Sequence, residues 1–395
     1  MKPTLLVLNA GSSSLKFALY DAASDSDSQL CKGLLEGIGG EGRLRVHAGT
    51  GDRMGDAHRE VGAADHRQAL HLVLDWLEGS YPDLDLIAAG HRVVHGGIEF
   101  AAPVVLDAAV LGKLETLIPL SPLHQPHSLA AIRALEGLRP GLPQVACLDT
   151  AFHRTMPELA QRFALPEELS ALGLRRYGFH GLSYESIAAL LPHHLGAAAD
   201  GRVVVAHLGN GASLCAMRER RSVETSMSFT PLDGIPMGTR CGALDPGVLL
   251  YLMREQGMDE PDLSDLLHHR SGLLGISGIS GDVRELLQSD KPAAAQALEL
   301  FAYRTAQAIG GLAAVLGGLD ALVFTAGIGE HAAPVRGAIC QRLSWLGLQM
   351  DEVANARHGP RISSVDSPAS AWIIPTDEES VIARHTRALL GRAAM

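Results

Sequence analysis

The chain has 395 residues, of which 47% are hydrophobic and 43 are glycine, and its formal net charge is −11. A single hydrophobic core seldom serves so long a chain, so we expect two domains. The acidic balance excludes a nucleic-acid-binding protein, which needs a cationic face to neutralise phosphates. The five cysteines are scattered and never have metal-ligand spacing, so we expect reduced, mostly structural thiols.

Residues 5–20 predict a β-hairpin that binds an anion. An apolar strand over residues 5–8 leads into a small polar turn, and a second strand follows. Gly11 lets a ligand approach the backbone, Ser12 and its neighbouring serines can donate to phosphate oxygens, and Lys16 adds a positive charge. An ordinary hairpin with a serine-rich turn is the alternative for this stretch taken alone.

The segment from the first hairpin to residue 97 predicts further strands and one helix. A polar stretch over residues 22–29 precedes antiparallel edge strands that reach about residue 58. Residues 65–77 have apolar side chains at helical spacing, and residues 84–89 predict a buried strand. We expect this strand to lead into a glycine-rich loop over residues 90–97. In that loop Arg92 could present its planar fork to a carboxylate or phosphate; a solvated surface arginine is the alternative.

The next segment brings a carboxylate and several histidines. A proline-punctuated loop over residues 119–127 precedes a helix from about residue 128 to 135, and we interpret its histidines, His124 and His127, as structural rather than as zinc ligands. Asp149 follows a predicted strand over residues 143–148, at the end of the strand where α/β sheets place chemistry.

His180 stands between glycines, before a predicted helix over residues 183–191. Residues 203–217 then repeat the pattern of the first hairpin: a β-branched run, a turn of Gly and Asn, and a second apolar segment. Because each half of the chain begins with such a hairpin, we expect a duplicated domain with a nucleotide held between the halves.

The last segment combines anion-binding loops with helices. Residues 225–246 predict a loop in which Arg240 points to an anion, and residues 273–284 form a second glycine cluster. A long helix over residues 292–316 should end at Gly317.

Residues 321–325 predict a strand that enters a glycine loop at residues 326–330, which can offer backbone amides and a helix N-terminus to a nucleotide. A strand over residues 371–375 precedes the last helix. Glu378, in the first turn of that helix, either complements the helix dipole or binds magnesium beside phosphates.

Taken together, these motifs resemble the acetate/propionate kinase family of the sugar kinase, Hsp70 and actin superfamily. The resemblance covers nearly the whole chain. It rests on residues 8–17, 91–97, 149–157, 176–183, 207–214, 237–240, 327–330 and 375–379.

The resemblance implies a fold and a reaction. The fold would be α/β, with duplicated ribonuclease-H-like domains whose mixed sheets are flanked by helices. The reaction would be reversible, direct in-line phosphoryl transfer from ATP to acetate, giving acetyl phosphate and ADP. It implies Mg²⁺, with Mn²⁺ as the alternative, and a homodimer.

The resemblance also assigns roles to residues. The catalytic positions would be Arg92, Asp149, His180 and Arg240, with magnesium held by Asn9 and Glu378. The acyl pocket would be lined by Arg92, Val94, Leu123, Phe179 and Pro231, and Val94 should favour acetate over propionate. The nucleotide would be bound by Ser12, Lys16, His207, Leu208, Gly209, Asn210, Gly211, Asp282, Val283, Arg284, Gly327, Ile328, Gly329, Glu330 and His331.

We therefore expect an N-terminal domain of residues 1–149 with 378–395, which holds the first hairpin and the acyl-site arginine. Residues 150–377 would form a C-terminal domain with the second hairpin and the adenosine site. A propionate kinase of the same family and a non-enzymatic ATP-driven clamp are the alternative functions. No apolar stretch has the ~20 residues needed to span a bilayer and no secretory leader opens the chain, so we expect a soluble cytoplasmic protein with no membrane partner.

Overall fold

The computed structural model describes residues 1–23, 28–48 and 57–393. Part of the expected polar stretch, residues 24–27, lies outside the described residues, as do 49–56 and the end of the expected N-terminal domain, 394–395. The chain divides into two compact units, Met1–Phe152 with Asp377–Met395, and His153–Thr376. No helix in the described ranges is long and apolar enough to cross a membrane.

The first unit is a sheet with helices packed against it. Its strands are β1 (Lys2–Ala10), β2 (Ser14–Asp21), β3 (Gln29–Glu36), β4 (Gly40–Ala48), β5 (Ala57–Ala63), β6 (Leu84–Val93), β7 (Val104–Val105) and β8 (Gln144–Leu148). Its α-helices are α1 (His66–Ser80), α2 (Ala108–Thr116), α3 (Gln125–Leu138) and the last helix of the chain, α15 (Glu378–Ala393).

The strand order among the described residues is β5-β4-β3-β2-β1-β6-β8-β7. The first five strands pair antiparallel, whereas β6 lies parallel to both β1 and β8, so the predicted mixed sheet is confirmed. Leu6 and Leu8 belong to the core formed with α1 and α3. Successive side chains of a strand point to opposite faces, so Leu5 and Val7 face the other way, and α15 also packs on β1.

The expectation of a glycine-rich loop at residues 90–97 was wrong for its first four residues. β6 continues to Val93, because residues 89–93 pair with β8 while β1 pairs with the same strand as far as His91. Gly90 is therefore not a turn residue. A Cβ there would clash with Thr386 Oγ1 and lie 2.5 Å from Ile382 Cγ2, both on α15. The glycine lets this helix approach the sheet, and Arg92 lies on a strand rather than in a loop.

The second unit has its own sheet. Its strands are β9 (Val203–Leu208), β10 (Ala212–Arg218), β11 (Arg221–Thr225), β12 (Ala321–Thr325) and β13 (Ser370–Ile373). Its α-helices are α4 (Glu158–Gln161), α5 (Glu167–Ala171), α6 (Gly181–Leu195), α7 (Pro246–Gln256), α8 (Glu260–His269), α9 (Gly272–Ser277), α10 (Val283–Gln288), α11 (Pro292–Leu316), α12 (Ala326–His331), α13 (Ala333–Arg342) and α14 (Glu352–Ala356).

The second sheet repeats a pattern found in the first. Its order is β11-β10-β9-β12-β13 in the described part of the chain. β9 and β10 form an antiparallel hairpin, and β9 also pairs in parallel with the later strand β12. β1 does the same with β2 and β6. Each unit thus places one hairpin beside a parallel strand, as a duplicated domain requires.

Helix boundaries differ from the expectations where local chemistry was misread. α3 begins three residues before residue 128, because Pro126 fits the first turn, where no amide partner is needed. The long helix α11 has the predicted bounds and ends at Gly317, whose φ of 74° is the usual left-handed cap.

The glycine loop expected at residues 326–330 is instead the short helix α12. Ala326, at φ 63°, turns the chain directly from β12 into this helix. Its amide donates to Glu330 Oε1 at 2.9 Å, which satisfies a first-turn donor.

All five cysteines are free thiols, and each falls within the described ranges. Four are buried and Cys241 is half-buried. Burial raises the pKa of Cys31 to about 11 and those of Cys215 and Cys340 to about 12. These values agree with structural rather than reactive thiols.

The contact between Gly90 and α15 predicts a stability effect. Gly90→Ala should lower the free energy of unfolding by about 1–3 kcal/mol, because the added methyl group must displace a packed helix. Urea unfolding followed by circular dichroism measures the change. Gly112→Ala, in α2 with open space around the site, is the control and should be neutral or slightly stabilising. Equal stabilities for the two variants would contradict the packing argument.

Candidate active site

A buried carboxylate and an arginine dominate the first unit. Asp149 follows β8 and is 1% exposed, and its Oδ2 accepts from Arg92 Nε at 3.0 Å and Nη2 at 2.5 Å. The Arg92 side chain is 22% exposed, so it is not fully buried. Asp149 thus orients Arg92 through two charge-assisted hydrogen bonds.

Two further oxygen-bearing side chains lie against the same guanidinium. Arg92 Nη1 donates to Asn9 Oδ1 at 3.2 Å, and Nε lies 3.9 Å from Glu378 Oε2. Burial lowers the pKa of Arg92, but Asp149, Glu378 and Glu379 together raise it above its ordinary value. Burial raises the pKa of Glu378 from 4.5 to about 7, against the opposing effect of Arg92.

This cluster fits a divalent metal ion that also binds phosphate. No group of three or more His, Cys, Asp or Glu residues in the described part of the chain is arranged to hold a metal by itself. Asp149 Oδ1, however, is buried without a hydrogen-bond partner among those residues, and Asn9 and Glu378 bring oxygen atoms to the same arginine. Mg²⁺ prefers oxygen ligands and usually takes one or two carboxylates plus substrate phosphates and water. The donor set therefore suits it.

The turn of the first hairpin presents small polar groups. The Gly11 amide donates to Ser14 O at 2.8 Å, while Ser12 and Ser13 are exposed. His66 Nε2 lies 2.7 Å from Gly11 O, which fixes this turn to the start of α1. Lys16 is exposed on β2, with its Cα opposite that of Asn9, and its charge acts on Glu378. Lys16 and the serines thus lie on the same hairpin as Asn9.

The residues predicted to line the acyl pocket belong to both units. In the first unit, Val94 is buried directly after β6, and Leu123 is half-buried before α3. In the second unit, Phe179 and Pro231 are buried. The Pro231 carbonyl accepts from Arg240 Nη1 at 2.7 Å, so this wall of the predicted pocket contacts a predicted catalytic residue.

In the second unit, His180 has an unusual backbone and a defined side-chain partner. It caps α6 at φ 58° and ψ 26°, in the left-handed region that non-glycine residues seldom occupy. Its Nδ1 lies 2.8 Å from Ser213 Oγ on β10. Its ring stacks on His207, with centroids 4.2 Å apart. The ring is therefore held from two sides.

Arg240 and His180 meet at the turn of the second hairpin. A Cβ at Gly211 would lie 3.0 Å from Arg240 Nη2 and 3.3 Å from His180 Nε2. Glycine at this position leaves both nitrogens facing the same small space beside the backbone. A guanidinium and an imidazole that converge in this way suit an anionic group, whose negative charge they can stabilise.

Neighbouring loops close around the same turn. The Gly238 amide donates to Asn210 O at 3.2 Å, and a Cβ at Gly238 would clash with Asn210 Oδ1 and lie 3.1 Å from Gly281 O. The predicted loop carrying Arg240 and the second glycine cluster thus pack against the turn of residues 207–211. Backbones this close require glycine.

The predicted adenosine residues are on the surface or in helix starts. Asp282 caps α10 and pairs with the exposed Arg284, and this hydrogen bond from Arg284 lowers the pKa of Asp282. Val283 is buried between them. In α12, Gly327 and His331 are exposed, Ile328 and Glu330 are half-buried and Gly329 is buried.

Sequence reasoning missed several residues that support these groups. Arg336 is fully buried and donates to Gly329 O and to Asn355, which ties α12 to α14. Burial lowers its pKa to about 10. Tyr184 and Ser213 support His180, and the one available signal was a serine within the apolar run of β10. The contacts of Ser213 with Tyr184 and His180 join segments 29 and 33 residues apart, so local spacing could not connect these side chains.

The comparisons with known proteins point in one direction. Residues 4–384 match the model of the Acetokinase family. The chain is 54% identical over 390 residues to the acetate kinase of Rhodopseudomonas palustris (strain ATCC BAA-98 / CGA009), an alignment covering 98% of each protein. It is 49% identical over 402 residues to the acetate kinase of Methylocella silvestris, over the full length of both.

Solved structures, two of which follow, also match over nearly the full length. A propionate kinase from Francisella tularensis has a TM-score of 0.90 at 37% identity and covers 97% of this chain and 98% of its own. Porphyromonas gingivalis acetate kinase has a TM-score of 0.86 at 37% identity, with 98% of this chain and all of its own covered.

The raised pKa of Glu378 predicts a pH dependence of the metal-free protein. The folded state holds a proton that the unfolded state loses between pH 4.5 and about 7, so this contribution to stability is present below that window and is lost as the pH rises through it. The loss is up to about 1.4 kcal/mol per pH unit for one group.

Melting temperatures in a chelator between pH 5 and 8 check this. Glu378→Gln should gain stability relative to the native chain as the pH rises, whereas Glu168→Gln, at an exposed site, should track it. Parallel curves for Glu378→Gln and the native chain would show that Glu378 is ionised throughout.

Proposed function

The chain belongs to the Acetokinase family, and we propose that it transfers the γ-phosphoryl group of ATP to acetate, reversibly, giving acetyl phosphate and ADP. The observation that carries the proposal is the convergence of Arg240 Nη2 and His180 Nε2 on Gly211. Two donors at a glycine turn suit a phosphoryl group in transfer, and the relatives named acetate kinase agree with that reading.

The acceptor needs little activation. A carboxylate with an ordinary pKa of about 4 is already ionised at neutral pH, so no strong base is required. The reaction instead needs positioning and charge neutralisation while the phosphoryl group passes in line between two oxygens. Arg92 orients the acetate carboxylate, and Asp149 holds Arg92 rather than accepting a proton.

The first unit supplies residues for the metal ion and for nucleotide phosphate. Asn9 and Glu378 hold Mg²⁺, with Mn²⁺ as the alternative, and Asp149 Oδ1 supports them; when bound, the ion neutralises phosphate charge. Lys16 and Ser12 contact nucleotide phosphate from the first hairpin. Arg240 and His180 donate to the oxygens of the transferred group.

The remaining nucleotide contacts come from the second unit. The turn of residues 207–211 cradles phosphate, and residues 282–284 and 327–331 hold the adenosine. The packing of Asn210 against Gly238 and the capping of Ala326 by Glu330 support these roles, because both fix backbone amides beside the predicted site.

Acetate is the preferred acyl substrate. Val94 is buried, and its branched side chain would crowd the predicted acyl pocket, where one methylene group is worth roughly 1–3 kcal/mol. Relatives named acetate kinase reach 54% identity, whereas the neighbour named propionate kinase is 37% identical. A non-enzymatic ATP clamp would have no use for Arg92 as an acyl-anion residue.

We also propose a homodimer in the cytoplasm. Among the described residues, α7 buries none of its side chains. Several of them are apolar: Leu250 and Tyr251 are 64% and 52% exposed, and Val248 and Met253 are also exposed. Such an apolar face suits a second copy of the chain. The free thiols and the use of ATP support the cytoplasmic location.

A hydroxamate assay for acyl phosphate tests the reaction. With ATP and Mg²⁺, the native chain should react faster with acetate than with propionate, measured as kcat/KM. Arg92→Ala should reduce acetate turnover at least about a hundredfold, because the acyl anion loses its charge-assisted partner.

Arg133→Ala, at an exposed arginine paired with Glu115, is the matched control and should keep native activity. Absence of acyl phosphate from both acids in the native chain, while ATP still binds, would refute the proposed reaction and favour the clamp.

The dimer proposal predicts a change of mass. Leu250→Glu should give monomers in size-exclusion chromatography with light scattering, because a buried carboxylate would have to be desolvated. Leu172→Glu replaces a leucine that is 74% exposed away from α7, and it should leave the dimer intact. A dimer that survives Leu250→Glu unchanged would rule out this face.

A further inference from the structure

Ser213 and Tyr184 form a chain of hydrogen bonds that ends on His180. Tyr184 Oη lies 2.5 Å from Ser213 Oγ, and Ser213 Oγ lies 2.8 Å from His180 Nδ1. Both Ser213 and Tyr184 are fully buried. From this geometry we propose that Tyr184 and Ser213 are positioning residues that keep the proton of neutral His180 on Nε2, where it donates to the transferred phosphoryl group.

The direction in which these two hydrogen bonds donate follows from the chemistry of the side chains. Burial raises the pKa of Tyr184 well above its ordinary value, so the phenol keeps its proton. We assign the phenol, the more acidic of the two hydroxyls, as the donor to Ser213 Oγ. The single proton of Ser213 then goes to the lone pair of His180 Nδ1. A neutral imidazole that accepts at Nδ1 carries its proton on Nε2.

The other end of the ring is the one that matters for the reaction. His180 Nε2 and Arg240 Nη2 face the same space beside Gly211. With its proton on Nε2, His180 adds a second donor there, whereas the opposite tautomer would present a lone pair to phosphate oxygens. The hydrogen bonds from Tyr184 through Ser213 thus determine whether His180 Nε2 donates to the phosphate or repels it, and they also fix the orientation of the ring.

The backbone around His180 fixes the position of its ring. Its left-handed conformation is one that glycine adopts at lower cost. Tyr184 lies one turn later on α6, and its amide donates to the His180 carbonyl at 3.1 Å. The N-cap and first turn of α6, residues 180–184, therefore carry both the imidazole ring and Tyr184, and β10 carries Ser213.

The kinetic test uses the full chain with ATP, Mg²⁺ and acetate, and it rests on the proposed function. Ser213→Ala should lower kcat about tenfold, and Tyr184→Phe about threefold, with each KM changed less than about twofold. The double variant should be no worse than Ser213→Ala, because Tyr184 acts through Ser213. Ser213→Thr keeps the hydroxyl and should restore most of the activity.

Ser226→Ala is the matched control. Ser226 Oγ accepts from the amide of Leu214, the residue after Ser213, so its loss disturbs the same strand without touching His180. Native kcat in Ser213→Ala, or an equal loss in Ser226→Ala, would overturn the proposal.

A spectroscopic readout does not depend on activity. In ¹⁵N-labelled protein, two-bond correlations of the His180 ring, assigned by their absence in His180→Gln, distinguish the two tautomers. The native chain should show the proton on Nε2, and Ser213→Ala should show a mixture. A proton on Nδ1 in the native protein, or an unchanged tautomer in Ser213→Ala, would refute the positioning role of Ser213 and Tyr184 even if the enzyme makes acetyl phosphate. If it makes none, the tautomers still decide the inference.

Discussion

The carboxylate of Asp149 is buried at the end of a strand, and a carboxylate in that environment must be paired with a cation. Arg92 meets this need from the adjacent strand β6 with two hydrogen bonds. The pairing works because β6 runs parallel to β8, so both residues reach the same edge of the sheet. Gly90 in turn lets α15 approach, and that helix brings Glu378 to the same guanidinium. The Arg92–Asp149 ion pair thus depends on the parallel pairing of β6 with β8. The small size of Gly90 lets α15 pack on the same sheet and bring Glu378 to this pair.

The second unit builds its site on a backbone turn rather than on a buried ion pair. Its site is built on a hairpin turn, where glycines allow Asn210, Gly238 and Gly281 to approach one another. Histidine and arginine side chains then supply the donors. The repeated arrangement of hairpin and parallel strand gives both units a turn that projects amides and small side chains. A phosphate-binding chemistry could therefore arise twice from one topology, while the charged residues around each turn differ.

The sequence predicted much of this fold because its signals are local. Alternating apolar residues and Gly-rich turns identified both hairpins, and Gly317 identified the end of α11. The two wrong loop predictions came from glycines that do not lie in turns. Gly90 was interpreted as a turn although it permits helix packing, and the glycines of α12 were interpreted as a loop. Strand ends and glycine-rich turns singled out Arg92 and Asp149 as candidates, although Arg92 was expected in a loop. No pattern linked Ser213 to His180, because their contact joins segments 33 residues apart.

The distribution of thiols gives the chain a built-in attachment point. Four of its cysteines are buried, and each of the five lies in the described ranges. Cys241, the half-buried one, directly follows Arg240 and is the most accessible of the five thiols, and because burial raises its pKa, its alkylation should be slow. A fluorophore attached through a maleimide would therefore report from the loop that carries the arginine, without any engineered cysteine.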